Sequence, residues 1–207
     1  MTDRIDARSP AATRLPPGQI ITRKWPVLHY GSVPTVKLAA WRFEVTGAVE
    51  RPLSLTWEEL LAMPRRETLC DMHCVTSWSR YDNVFEGVPV QAILERAGVR
   101  PEAAYVLVSA EQDFTTNLPL AELDRPENLL ALSYNGEPLT PEHGGPVRLL
   151  VPHLYLWKSA KWVTGFRLLH EDSPGFWERN GYHMRGDPWR EERYGRPDPA
   201  RMRRGPR

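Results

Sequence analysis

The chain has 207 residues, of which 41% are hydrophobic and 26% charged, a length that suits one large domain or at most two small ones and can bury a core. Lys and Arg number 27 against 26 Asp and Glu, a net charge of +1, so no global field marks a binder of nucleic acid or of an anionic membrane. Eight Trp, seven Tyr and 20 Pro exclude a coiled coil or helix bundle on one side and a disordered chain on the other.

Residues 1–21 are polar and end near Pro16-Pro17-Gly18, which predicts an extended N-terminal arm rather than packed structure. Trp41-Arg42-Phe43-Glu44-Val45-Thr46 alternates apolar and polar as a half-buried strand, and Gly47 ends it. Thr56-Trp57-Glu58-Glu59 has the form of a capping box, so a short helix is expected before Pro64. A second helix is predicted over residues 89–96 with Gly98 as its stop. Runs at 105–108, 129–133, 147–151 and 162–169 lean to strand, with Asn135-Gly136 and His143-Gly144-Gly145-Pro146 as turns. No repeat or linker divides residues 22–195, which read as one domain, and residues 196–207 read as a basic flexible tail in which Arg201, Arg203, Arg204 and Arg207 are solvated. The expected class is α+β, with mixed sheets, short helices and long irregular loops.

Cys70 and Cys74 are too few for a disulfide scaffold. No run approaches the roughly 18 apolar residues of a membrane span, and the N-terminus shows neither an apolar export segment nor paired arginines, so the expected location is cytoplasmic with no transmembrane segment. The segment Leu69-Cys70-Asp71-Met72-His73-Cys74-Val75-Thr76-Ser77-Trp78-Ser79-Arg80 gathers two thiols, an imidazole and three hydroxyls without apolar periodicity. Each thiol reads as a small buried hydrophobe or as a reactive group. Zinc is disfavoured because the C-x3-C pair has no downstream partner pair, and a nucleophile would need a base facing it. Around His143-Gly144-Gly145-Pro146-Val147-Arg148 and Lys158-Ser159-Ala160-Lys161, glycines and cations suit either a phosphate-bearing ligand or a solvated basic strand face. No nucleotide-binding glycine fingerprint occurs in the chain.

In order, Trp25-Pro26-Val27-Leu28-His29-Tyr30-Gly31, the segment from Trp41 to Leu53, Cys74-Val75-Thr76-Ser77-Trp78-Ser79, Asn135-Gly136-Glu137-Pro138-Leu139, the His143–Leu149 stretch and Lys158-Ser159-Ala160-Lys161-Trp162 resemble the molybdopterin-binding domain of the sulfite oxidase family. The likeness covers roughly residues 22–194, and the ending Pro174-Gly175-Phe176-Trp177-Glu178-Arg179-Asn180-Gly181-Tyr182-His183 is similar to its short bacterial branch. It implies a sulfite oxidase-type fold and a molybdenum–molybdopterin (Mo-pyranopterin) cofactor held by dithiolene sulfurs and one protein thiolate, matched here by Cys74. A soft anionic sulfur suits such a metal. Cys70 has no match and is expected to be structural.

The resemblance also places His143 and Arg148 at the pterin and its phosphate, Lys158, Ser159 and Lys161 in the segment that wraps it, and His29 and Tyr30 in the loop that closes over it. Ser109 and Asp113 fall in a contributing region whose register the sequence leaves open. The implied reaction is two-electron oxygen-atom transfer on a small oxyanion or an S- or N-oxide, with a cofactor-binding protein without turnover as the alternative. Where sulfite oxidases carry a Tyr two residues after the Pro matched by Pro152, this chain has Leu154 and then Tyr155, the candidate catalytic partner of Cys74. That position is closer to the methionine-sulfoxide-reductase catalytic subunit. The core is expected to lack a haem domain and a dimerising β-sandwich, which implies a separate electron-transfer partner and no nucleic-acid role.

Overall fold

In the computed structural model, which describes residues 3–9 and 14–195, the strands in chain order are β1 (Asp3–Asp6), β2 (Ile20–Ile21), β3 (Arg42–Gly47), β4 (Leu53–Thr56), β5 (Arg66–His73), β6 (Trp78–Pro89), β7 (Tyr105–Ala110), β8 (Thr115–Pro119), β9 (Leu129–Tyr134), β10 (Glu137–Pro138), β11 (Arg148–Leu150) and β12 (Val163–Leu169). The α-helices are short: α1 (Trp57–Leu61), α2 (Val90–Ala97), α3 (Leu120–Leu123) and α4 (Phe176–Arg179). The expected tail at 196–207 and its arginines lie outside the described residues.

The strands form two mixed sheets. One runs β1-β5-β6-β9-β10, with β11 added to β9 and β2 to β6; the other runs β4-β3-β12-β7-β8. Phe43, Val45, Val108 and Phe166 from the second sheet meet Val88, Leu130 and Leu149 from the first in one continuous core. Helix α2 contributes Val90, Ile93, Leu94 and Ala97 to it, a single stripe at helical spacing, and ends at Gly98 with φ of 68°. The capping box is present: Thr56 Oγ1 accepts from Glu59 N–H at 3.1 Å, and Glu59 accepts from Thr56 N–H at 2.8 Å. Asn135 and Gly136 make the β9–β10 turn with φ of 49° and 85°, as that dipeptide predicts.

The structure departs from the sequence expectation in three places. The N-terminal arm is packed: β1 pairs in parallel with β5 and β2 with β6, while Arg14 grips the buried Asp71 carboxylate at 2.5 and 2.8 Å. The segment read as lacking periodicity is the longest hairpin, β5–β6, whose alternation is broken by a register shift between Cys70 and Met72. The glycines of the 143–146 turn serve protein packing rather than a ligand. A Cβ on Gly145 would stand 2.1 Å from the Leu139 carbonyl, and one on Gly144, at φ of 102°, would press the stems of Lys161 and Arg148.

Lys158 ties β8 of the second sheet to the C-terminal segment. Its ammonium is wholly buried, 2.7 Å from Glu178, and also donates to Asn117 Oδ1 at 2.9 Å and to the carbonyls of Asn117 and Met184. Glu178 in turn accepts from Thr116 Oγ1 at 3.0 Å and Trp157 Nε1 at 2.8 Å. Burial lowers the Lys158 pKa, and the Glu178 charge opposes that shift. Lys158→Met is expected to cost about 3–5 kcal/mol in chemical denaturation by stranding the Glu178 charge, and pairing it with Glu178→Leu should recover most of that loss.

Candidate functional site

Where the β5–β6 turn, the loop before β3, the β7–β8 loop and the segment 156–162 converge, they enclose a cavity of about 310 Å³. Cys74, His29, Tyr30, Arg148, Ser159 and Lys161 line it, six of the residues singled out from the sequence. Cys74 sits in the turn of the β5–β6 hairpin and is 7% exposed, with its Sγ 3.1 Å from Thr76 Oγ1. Burial raises the thiol pKa, and the Thr76 hydrogen bond and the Arg193 charge oppose it. Cys70 lies instead in an apolar cluster with Met72, Phe85 and Leu129, and complete burial pushes its thiol far up. The two thiols thus face different surroundings.

Two cations also line the cavity. Arg148 is 3% exposed and makes no ion pair among the described residues; it donates to the carbonyls of His143 at 2.8 Å and Ser159 at 2.9 Å, while its Nε has no hydrogen-bond partner. Burial lowers its pKa to about 10. Lys161, which donates to the Glu142 carbonyl, is brought down to about 7, first by burial and then by the like charge of Arg148. A buried guanidinium with a free N–H and no ion pair, beside an ammonium whose proton affinity burial lowers, leaves room for a negative charge. The donor set suits a phosphate or similar anion.

Five predicted residues are not on the cavity wall. Lys158 is committed to Glu178, as above. His143 stacks on Trp25 with centroids 4.0 Å apart and reaches the cavity only through that ring and through its carbonyl on Arg148. Ser109 and Asp113 give way to their neighbours Glu111 and Gln112, which line the cavity; Gln112 also donates to the Ser32 carbonyl at 2.7 Å and so holds the 29–32 loop. Tyr155 is fully buried behind Cys74, stacked on Trp157 at 5.3 Å, with no well-formed hydrogen bond to its hydroxyl although the Gln19 side chain is close. It supports the thiol instead of facing the cavity.

Aromatic residues stand out among those that sequence reasoning did not assign to the site. Trp25, Trp78, Trp157, Trp177 and Tyr182 line the cavity, and Trp25 also lies 5.4 Å beneath the Arg148 guanidinium. For Trp157 and Trp177 the density of Trp between 157 and 189 was the available signal; Trp25 and Trp78 had none of that kind. Among the described residues, no group of three or more His, Cys, Asp or Glu side chains stands where it could hold a metal. A metal at Cys74 would draw its other ligands from an organic group, and the cations Arg148 and Lys161 suit an anionic one.

The pattern of the family described as oxidoreductase molybdopterin binding domain matches residues 30–177. The chain belongs to this family. Its cofactor is molybdenum–molybdopterin. It is 52% identical over 188 residues to the uncharacterized oxidoreductase YuiH of Bacillus subtilis (strain 168), covering 90% of this chain and 95% of that one. It is 32% identical over 157 residues to the protein-methionine-sulfoxide reductase catalytic subunit MsrP of Gluconobacter oxydans (strain 621H), covering 67% of this chain and 50% of that protein's length. The sulfane dehydrogenase SoxCD of Paracoccus pantotrophus has the same fold, with a TM-score of 0.63 and 26% identity over 70% of this chain and 42% of that one. No helix among the described residues is long and apolar enough to cross a membrane.

Between its folded value of about 7 and its ordinary value of 10.5, Lys161 binds more proton in the unfolded chain than in the folded one. Stability of the cofactor-free protein should therefore rise with pH across that window. Thermal unfolding is expected to show this rise in the parent protein and to lose most of it in Lys161→Met.

Proposed function

We propose that this chain is a molybdenum–molybdopterin oxidoreductase that moves an oxygen atom to or from a small oxyanion or an S- or N-oxide, with the Cys74 thiolate as the metal's protein ligand. The observation that carries this reading is one cavity whose lining holds both the buried Cys74 thiol and, beside Lys161, a buried Arg148 guanidinium with no ion pair among the described residues. When bound, the cofactor supplies a two-electron redox centre; the residues around it supply placement, charge and exclusion of water.

Arg148 and Lys161 hold the anionic end of the cofactor, and a bound anion returns Lys161 to its charged form. Ser159 keeps that wall in place, its Oγ accepting from the Val151 N–H at 2.9 Å and its carbonyl from Arg148. His29 and Tyr30 lie on the loop over the cavity, with the Tyr30 ring seated on Phe176 at 4.4 Å. At Cys74, the thiolate would ligate the metal with its proton released to solvent, and that bond would offset the cost of burying a sulfur anion. Trp157, Trp177 and Tyr182 wall this part of the cavity with apolar faces, so a substrate held there is largely desolvated. A separate one-electron carrier completes the cycle.

Cys74→Ser is expected to leave the fold intact and to abolish turnover in assays of sulfite oxidation and of oxide reduction by a reduced viologen, whereas Cys70→Ser should stay within a few-fold of the parent. Equal losses from both would assign the wrong thiol. Arg148→Ala should purify with reduced molybdenum and pterin content, and full loading of that variant would remove Arg148 from the anion site. Full loading of the parent with no turnover on any oxide or oxyanion would favour cofactor binding without catalysis.

A further inference from the structure

The two ends of the described chain meet on the turn that carries Cys74. Within it, Cys74 N–H donates to the Trp78 carbonyl at 2.8 Å, Ser77 N–H donates to the Cys74 carbonyl at 3.0 Å, and Ser77 takes φ of 70°. Groups from outside the hairpin then take the remaining acceptor positions. Gln19 Nε2 donates to the Cys74 carbonyl at 3.1 Å, Ile20 N–H to the Ser77 carbonyl at 2.9 Å, and the Arg193 guanidinium to the Val75 carbonyl. The same guanidinium reaches the Gly18 carbonyl at 3.3 Å and lies 5.2 Å from the centre of the Tyr155 ring.

Gln19 is 7% exposed, and both ends of its amide are used, because Oε1 accepts from Ser79 Oγ at 3.2 Å. The single Ser79 hydroxyl proton is thereby committed, so His73 Nδ1, 2.8 Å from Ser79 Oγ, must be the donor in that contact. The chain of donors His73, Ser79, Gln19 ends on the Cys74 carbonyl. Only an amide at position 19 both accepts from Ser79 and donates to Cys74; a carboxylate or an aliphatic side chain breaks the second link.

We propose that Gln19 and Arg193 are positioning residues for the Cys74 thiolate, contributed by two terminal segments that lie outside the matched residues 30–177. The peptide before Cys74 is fixed by Trp78 and the peptide after it by Gln19, with the next carbonyl held by Arg193. Rotation about the Cys74 side chain is then the one freedom left to the sulfur. The inference rests on Cys74 as the metal ligand, and misplacement of a reacting centre by about 1 Å costs on the order of a hundredfold in rate.

The test uses cofactor-loaded protein, with Mo(V) electron paramagnetic resonance and molybdenum X-ray absorption as readouts beside steady-state kinetics. Gln19→Leu is expected to keep its molybdenum and pterin, to shift the Mo(V) g values and to lower kcat about ten- to a hundredfold with a smaller change in KM. Gln19→Glu should do the same, and Arg193→Lys should recover part of what Arg193→Ala loses, which provides an independent arm if Gln19→Leu fails to accumulate. A parent-like Mo(V) spectrum and kcat in the Gln19 and Arg193 variants, with only a lower melting temperature, would overturn the proposal. Cys74→Ser separates the two levels: loss of one molybdenum–sulfur neighbour upholds the ligand, while an unchanged sulfur count would remove the ligand and this inference with it.

Discussion

Arg148 and Lys161 stand side by side in a buried wall, and no carboxylate among the described residues pairs with the guanidinium. Burying a guanidinium is unfavourable unless a partner completes it; burial lowers the proton affinity of both groups, and the Arg148 charge adds to the shift of Lys161. The neighbouring structure is arranged around the guanidinium. The 143–146 turn places the His143 carbonyl against Arg148, Trp25 offers a ring face below, and Ser159 supplies the remaining carbonyl. Each acceptor is neutral, so the charge itself is left for a ligand.

That wall is held by an ion pair whose cation is fully satisfied. Lys158, three residues before Lys161, is as buried as Arg148 yet satisfied by Glu178, Asn117 and Met184. The contrast divides a short basic stretch into a structural cation and a ligand-facing one. Through Trp157 the same pair also fixes an aromatic face of the cavity near the thiol. Packing near the thiol and charge at Arg148 and Lys161 are therefore coupled through a few residues of the segment 156–162.

Much of the fold was legible where a local signal dominated. The capping box at Thr56, the apolar stripe of α2 with its glycine stop and the Asn135-Gly136 turn all depend on neighbours within a few residues. The β5–β6 hairpin was hidden because both of its faces are buried near Cys74: Cys70 and Met72 enter an apolar cluster while Asp71 and His73 meet Arg14 and Ser79 on the other side. Alternation disappears when polar groups are buried by pairing. The N-terminal arm was unreadable for a related reason, since its polar residues are ordered by partners some 55 or more positions away.

The amino-acid sequence by itself determined the class of fold and the resemblance to molybdopterin-binding oxidoreductases, because residue types and their order along the chain carry those. Only the tertiary structure decided which cations face the cavity, that Tyr155 and His143 act from behind its wall, and that residues from both termini grip the Cys74 turn. Those outcomes turn on burial and on which donor meets which acceptor across distant segments, and neither quantity exists until the two sheets close on each other.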